Sequence, residues 1–79
     1  MSNLDMDREF IRLNFAILSV SDTRSLSDDK SGDVLSERIQ SAGHFVTARE
    51  ITTDDEPKIV FHLKKLLERI DVDVILSTG

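Results

Sequence analysis

Cysteine is absent from the 79 residues, which excludes disulfides and thiolate zinc sites. Only His44 and His62 remain as nitrogen ligands, so any bound metal is expected to be a hard, oxygen-coordinated one. Long apolar runs are missing as well. Nothing approaches the roughly 20 apolar residues of a membrane span. Residues 1–13 carry three acids instead of the basic-then-apolar order of a signal peptide, so the expected address is the cytoplasm, with no membrane partner. Positive charge is also short. Ten basic residues against fifteen acidic ones give a net charge of −5 and a pI near 4.8, the opposite of a nucleic-acid binder's footprint. A small phosphate-bearing ligand escapes that argument, because backbone N–H groups at a helix start hold phosphate whatever the net charge. The 39% apolar and 32% charged content fits one small domain or a piece of one, and speaks against collagen, coiled coil or a fully disordered chain.

What is present alternates between two periods. Residues 1–13 show no clear pattern and are expected to form an arm. From Asn14 to Val20 the run Phe15-Ala16-Ile17-Leu18 is continuously apolar over strand length, as suits a strand buried on both faces. The polar stretch 22–31 reads as a loop with candidate ligands. From Gly32, the recurrence of Leu35, Ile39 and Ala42 predicts a helix of about three turns, with Gly43 where it ends. Residues 44–51 mix β-branched and aromatic side chains with Arg49 and Glu50, the composition of an edge strand. Asp54, Asp55, Glu56 and Pro57 then mark a helix start. Ile59, Val60, Leu63, Leu66, Leu67 and Ile70 supply its apolar stripe, and Val72, Val74, Ile75 and Leu76 a third strand.

This β-α-β-α-β order is that of a doubly wound, mostly parallel α/β sheet with right-handed crossovers. Spatial order 2-1-3 puts the two helices on opposite faces and makes the most apolar strand central and the mixed one an edge. Order 1-2-3 would leave apolar strand one exposed, so 2-1-3 is expected. Strand three is apolar throughout and needs a further neighbour.

In such sheets ligands sit beyond the carboxyl ends of the strands, where strand order reverses. Ser19-Val20-Ser21-Asp22, leading to Ser31-Gly32, would meet Leu76-Ser77-Thr78-Gly79 there. Ser31-Gly32 at a helix start offers a hydroxyl and free N–H groups to a phosphate, although plain capping explains the same pair. Asp54, Asp55 and Glu56 are close enough to hold Mg²⁺, but acids in a first turn also simply complement the helix dipole. His44 and His62 lack ligand partners at useful spacing and read as surface residues. Phe61 lies off the stripe beside Lys58, Lys64 and Lys65, which suggests an oligomer contact or packing by the arm.

Five blocks at these positions carry a resemblance: Phe15–Arg24 (FAILSVSDTR), Asp28–Asp33 (DDKSGD), Ala42-Gly43-His44, Ile51–Asp55 (ITTDD) and Ile75–Gly79 (ILSTG). Together they resemble the molybdenum cofactor biosynthesis protein B and Mog family, in order over about residues 13–79. The resemblance implies that residues 14–79 are the N-terminal half of a three-layer molybdopterin-binding domain. It implies binding of molybdopterin and, in Mog-like members, Mg²⁺- and ATP-dependent adenylylation of its phosphate. By the same resemblance Asp54 is the catalytic carboxylate, acting through the metal, and Ser21, Asp22, Ser31, Gly32, Thr78 and Gly79 contact phosphate or pterin. A homo-oligomer, trimer or hexamer, follows likewise.

Two departures qualify the match. The family's usual proline before the acidic pair is Thr53, a change of loop stiffness. The glycine turn is represented only by Ser77-Thr78-Gly79, and the family's second acidic stretch after that turn is absent, so catalysis is expected to need residues beyond Gly79. The alternatives are a non-catalytic pterin-binding or scaffold protein of the same fold, and a generic flavodoxin-like binding domain whose loop acids act only as caps.

Overall fold

Ala16, Ile17 and Leu18 have no accessible surface, as an apolar run covered on both faces requires. The structure, a computed structural model, describes residues 11–22 and 29–79. Most of the expected arm, and residues 23–28 of the polar stretch, lie outside the described residues. Five elements follow in order: β1 (Asn14–Val20), α1 (Lys30–Ser41), β2 (Phe45–Thr52), α2 (Glu56–Leu67) and β3 (Val74–Thr78).

The sheet is parallel with order β2-β1-β3, the arrangement expected from composition. Side chains alternate across β1, so Ala16 and Leu18 face one way and Ile17 and Ser19 the other. Leu66 of α2 joins Ala16 and Leu18 in a buried cluster, with Ile59, Leu63, Ala48, Val72 and Ile75 packed against it. On the other face Ser19 bonds to Asp29 at the start of α1, and Ile39 of that helix is buried. One helix therefore covers each face. Among the described residues β3 pairs with β1 alone.

The β1–β2 register shifts between Phe15 and Ala16: Phe15 pairs with Val46, but Ala16 pairs with Ala48. Thr47 is the extra residue of this bulge, and its hydroxyl donates to the Asp71 carbonyl at 2.9 Å. Nearby, the amide of Asp73 donates to the Asn14 carbonyl at 2.7 Å, and that of Asn14 donates to the Asp73 carboxylate at 2.8 Å. These bonds seat β3 beside β1.

Helix α1 starts two residues before the expected Gly32 because Asp29 caps it, and it ends at Ser41, with Ala42 as its cap and then Gly43, whose φ of 91° only glycine adopts readily. The stripe on α2 is narrower than its periodicity suggests. Ile59, Leu63 and Leu66 aim at the sheet, whereas Val60 and Leu67 stand one residue round the helix. Ile70, fully exposed, lies past the helix end. The histidines also differ from expectation, both being half-buried. His44 Nδ1 accepts from the Leu13 amide at 3.0 Å, and its ring lies 5.3 Å from that of Phe15. His62 Nδ1 lies 2.5 Å from Glu50 Oε1. Partners 31 and 12 residues away in sequence draw them in, which spacing along one element does not reveal.

Candidate functional site

Three strand ends meet at the carboxyl rim of the sheet. The last β1–β2 pair is Val20 with Thr52, and the Ser21 amide adds one more bond, to the Thr52 carbonyl at 2.8 Å. Beyond it the Asp54 amide donates to Asp22 Oδ1 at 3.0 Å. On the other side Ser19 pairs with Thr78, and Gly79 lies so close to Val20 that a Cβ on it would stand 3.3 Å from the Val20 carbonyl oxygen. Ser21, Asp22, Asp54, Thr78 and Gly79 thus share one rim.

The start of α1, where Ser31 and Gly32 lie, is tied to β1 through Asp29. The Asp29 carboxylate, fully buried, accepts from the Ser19 hydroxyl at 2.5 Å, from the Gly32 amide at 3.1 Å and from Arg49 Nη2 at 3.2 Å. Arg49 Nη1 also meets Asp33 at 2.9 Å. The Gly32 amide, expected to face a ligand phosphate, therefore already has an internal anion as acceptor. Burial pushes the Asp29 carboxyl up, but the Ser19 hydroxyl, the Gly32 amide and the Arg49 guanidinium outweigh it and hold the group below the usual aspartate value. For Arg49 burial pulls down, while Asp33 and Asp29 more than compensate and keep the guanidinium charged.

Asp54, Asp55 and Glu56 are exposed. Asp55 occupies the cap position of α2 with φ −136° and ψ 116°, yet its side chain makes no capping hydrogen bond. Among the described residues no three acidic or imidazole side chains converge so as to hold a metal by themselves. Mg²⁺, however, takes one or two carboxylates together with substrate phosphates and water, and exposed Asp54 beside the rim fits that role. A shallow concavity of about 260 Å³ between α1 and β2, lined by Ser36, Gln40, Val46 and Arg49 among others, lies away from the rim.

Asp29 and Arg49 did not emerge from sequence patterns. Two signals were available. Asp29 stands three residues before Gly32, the spacing of an N-cap and the amide it accepts from. Arg49 is a cation within a strand, where a charge calls for a partner.

Parallel strands whose order reverses at β1, with hydroxyl, glycine and carboxylate groups collected at the carboxyl rim, define an α/β domain of the kind that binds ligands at a switch point. The sequence profile described as "Probable molybdopterin binding domain" matches residues 16–79, and the chain belongs to that family. It is 44% identical over 63 residues to molybdenum cofactor biosynthesis protein B of Bacillus anthracis, a match covering 80% of this chain and 37% of the relative. With the protein of the same name from Escherichia coli (strain K12) it shares 38% identity over 71 residues, 90% of this chain and 42% of that one. A crystal structure of molybdenum cofactor biosynthesis protein B superimposes with a TM-score of 0.87 at 38% identity, covering 91% of this chain and 45% of that chain. The chain thus spans about two fifths of the length of the curated relatives it matches.

Proposed function

We propose that this chain serves molybdenum cofactor biosynthesis by binding molybdopterin at the carboxyl rim and supporting Mg-ATP-dependent adenylylation of its phosphate. The observation that carries this reading is the convergence of Ser21, Asp54, Thr78 and Gly79 on one rim in a chain of the molybdopterin-binding family. In the step proposed, an oxygen of the pterin phosphate attacks the α-phosphorus of ATP. The bond from that phosphorus to the bridging oxygen breaks, and pyrophosphate leaves with the electron pair.

Little covalent work falls to the protein, so the rim acts by holding two anions in line and by offsetting their charge. Hydroxyls of Ser21, Ser31 and Thr78 donate to phosphate oxygens, and Gly79 allows close approach of backbone. Mg²⁺, held in part by Asp54, would supply charge neutralisation at the phosphates. The same reading carries a homo-oligomer, trimer or hexamer. Phe61, 61% exposed on α2, would lie at its contact, and sedimentation velocity of the protein tests that.

The function is tested by ATP-dependent AMP transfer to molybdopterin by the full-length protein, with Asp54→Ala as the variant. Turnover lost with folding intact supports the reading, while unchanged turnover removes Asp54 from the chemistry. Molybdopterin binding with no ATP binding by calorimetry would favour the scaffold alternative.

A further inference from the structure

The turn that carries Asp54 leaves the sheet with the Asp54 amide held by a side chain instead of by backbone. In a regular parallel ladder every second residue bonds, through its N–H and its C=O, to two positions on the neighbouring strand that are two residues apart. After the Ser21 amide has bonded the Thr52 carbonyl, the next rung would join the Asp54 amide to the Ser21 carbonyl. The Asp54 amide instead donates to Asp22 Oδ1 at 3.0 Å, 32 residues away in sequence. The ladder is thereby extended by one carboxylate oxygen at the point where β2 turns toward α2.

From this contact we infer that Asp22 is a positioning residue, whose carboxylate oxygen fixes the backbone of Asp54 and so aims the Asp54 side chain at the rim. The inference rests on the adenylylation reading above and changes the part Asp22 plays in it. One of the two carboxylate oxygens of the residue that the family resemblance offers to the ligand is engaged by a backbone amide. Two consequences separate this from direct contact with phosphate or Mg²⁺. The bond needs an acceptor oxygen but not a charge, so asparagine with its amide oxygen in the same place replaces aspartate, whereas alanine does not. A residue that sets the direction of a catalytic group also alters turnover more than substrate affinity.

The test compares Asp22→Asn and Asp22→Ala with the unsubstituted protein by two measurements: hydrogen exchange of the Asp54 amide, and the dependence of AMP transfer on molybdopterin and Mg-ATP. Removing a hydrogen bond to a charged acceptor is expected to speed exchange of that amide about tenfold in Asp22→Ala. The same variant should lower kcat about tenfold and leave KM for molybdopterin within about twofold, an effect acting through orientation. Asp22→Asn should restore most of both. Loss in Asp22→Asn equal to that in Asp22→Ala would overturn the inference, because the charge itself would then be in use. Unchanged Asp54 exchange in Asp22→Ala would overturn it too. Absence of AMP transfer from the full-length protein refutes the functional reading instead, and the exchange comparison still decides whether Asp22 holds Asp54.

Discussion

Gly32 lies directly against the Asp29 carboxylate, with no room for a side chain between them. A Cβ at Gly32 would overlap Asp29 Oδ2 and stand 2.7 Å from Asp29 Cγ and 2.8 Å from Arg49 Nη2. The glycine is therefore a packing requirement of the first turn of α1, whatever ligand the rim takes.

Gly32→Ala reverses the usual sign of a helical substitution. Alanine inside a helix ordinarily stabilises by about 1 kcal/mol relative to glycine. Here the cap carboxylate and the guanidinium must both move, and overpacking of this kind costs about 1 to 3 kcal/mol. Urea unfolding should show a lower midpoint for Gly32→Ala, and a raised midpoint would mean that the cap yields freely.

Asp29→Ala removes the α1 cap and one of the two carboxylates on half-buried Arg49, leaving it with Asp33 alone. Losing the cap costs about 0.5 to 2 kcal/mol and losing the charged hydrogen bond about 1.5 to 3 kcal/mol, whereas Asp29→Asn keeps the cap acceptor and should lose much less. Thermal melts of the two variants give the comparison.

Acid should weaken the fold through two carboxylates. Asp29 is held below its ordinary pKa as described. For Glu50 burial raises the value, but His62 and Lys65 outweigh it and bring it down. A folded-state pKa below the unfolded one contributes stability that is complete above the unfolded value, near pH 4, and is lost as pH falls through the folded value. Stability measured between pH 6 and pH 2 should therefore drop below about pH 4. The drop should be shallower in a variant carrying both Asp29→Asn and Glu50→Gln, and an equally steep drop there would assign the acid sensitivity elsewhere.

Leu66→Ala tests the narrowed stripe on α2. Leu66 is fully buried against Ala16 and Leu18, so its truncation should cost about 2 to 5 kcal/mol. Ile70→Ser, at a fully exposed position past the helix end, should stay within about 0.5 kcal/mol of the parent. Chemical denaturation of both distinguishes this stripe from the wider one implied by periodicity.

The sheet was legible because strand composition follows strand environment. Phe15-Ala16-Ile17-Leu18 has no polar break and sits in the middle, while Arg49 and Glu50 interrupt β2 and it forms an edge. The start of α2 was legible for a similar reason, since Pro57 tolerates only a first turn. Less legible was whatever depends on a partner far along the chain. Asp29 lies in a polar run with every appearance of a loop, and only Arg49, 20 residues later, makes its burial affordable. His62 reads as a surface residue until Glu50 is brought across from β2. Leu67 and Ile70 continue a periodicity that the helix itself abandons at Leu67. At the rim, the strand ends were foreseeable from topology, but the bond between Asp22 and Asp54 joins two loops that no single pattern spans.

The sheet's middle member precedes both of its neighbours in the chain. During synthesis β1 leaves the ribosome with two bare edges, and Asn14 waits for Asp73 before its second side is closed. Both crossovers must form before β1 is paired on both sides, so among the described strands its backbone edges stay open longest.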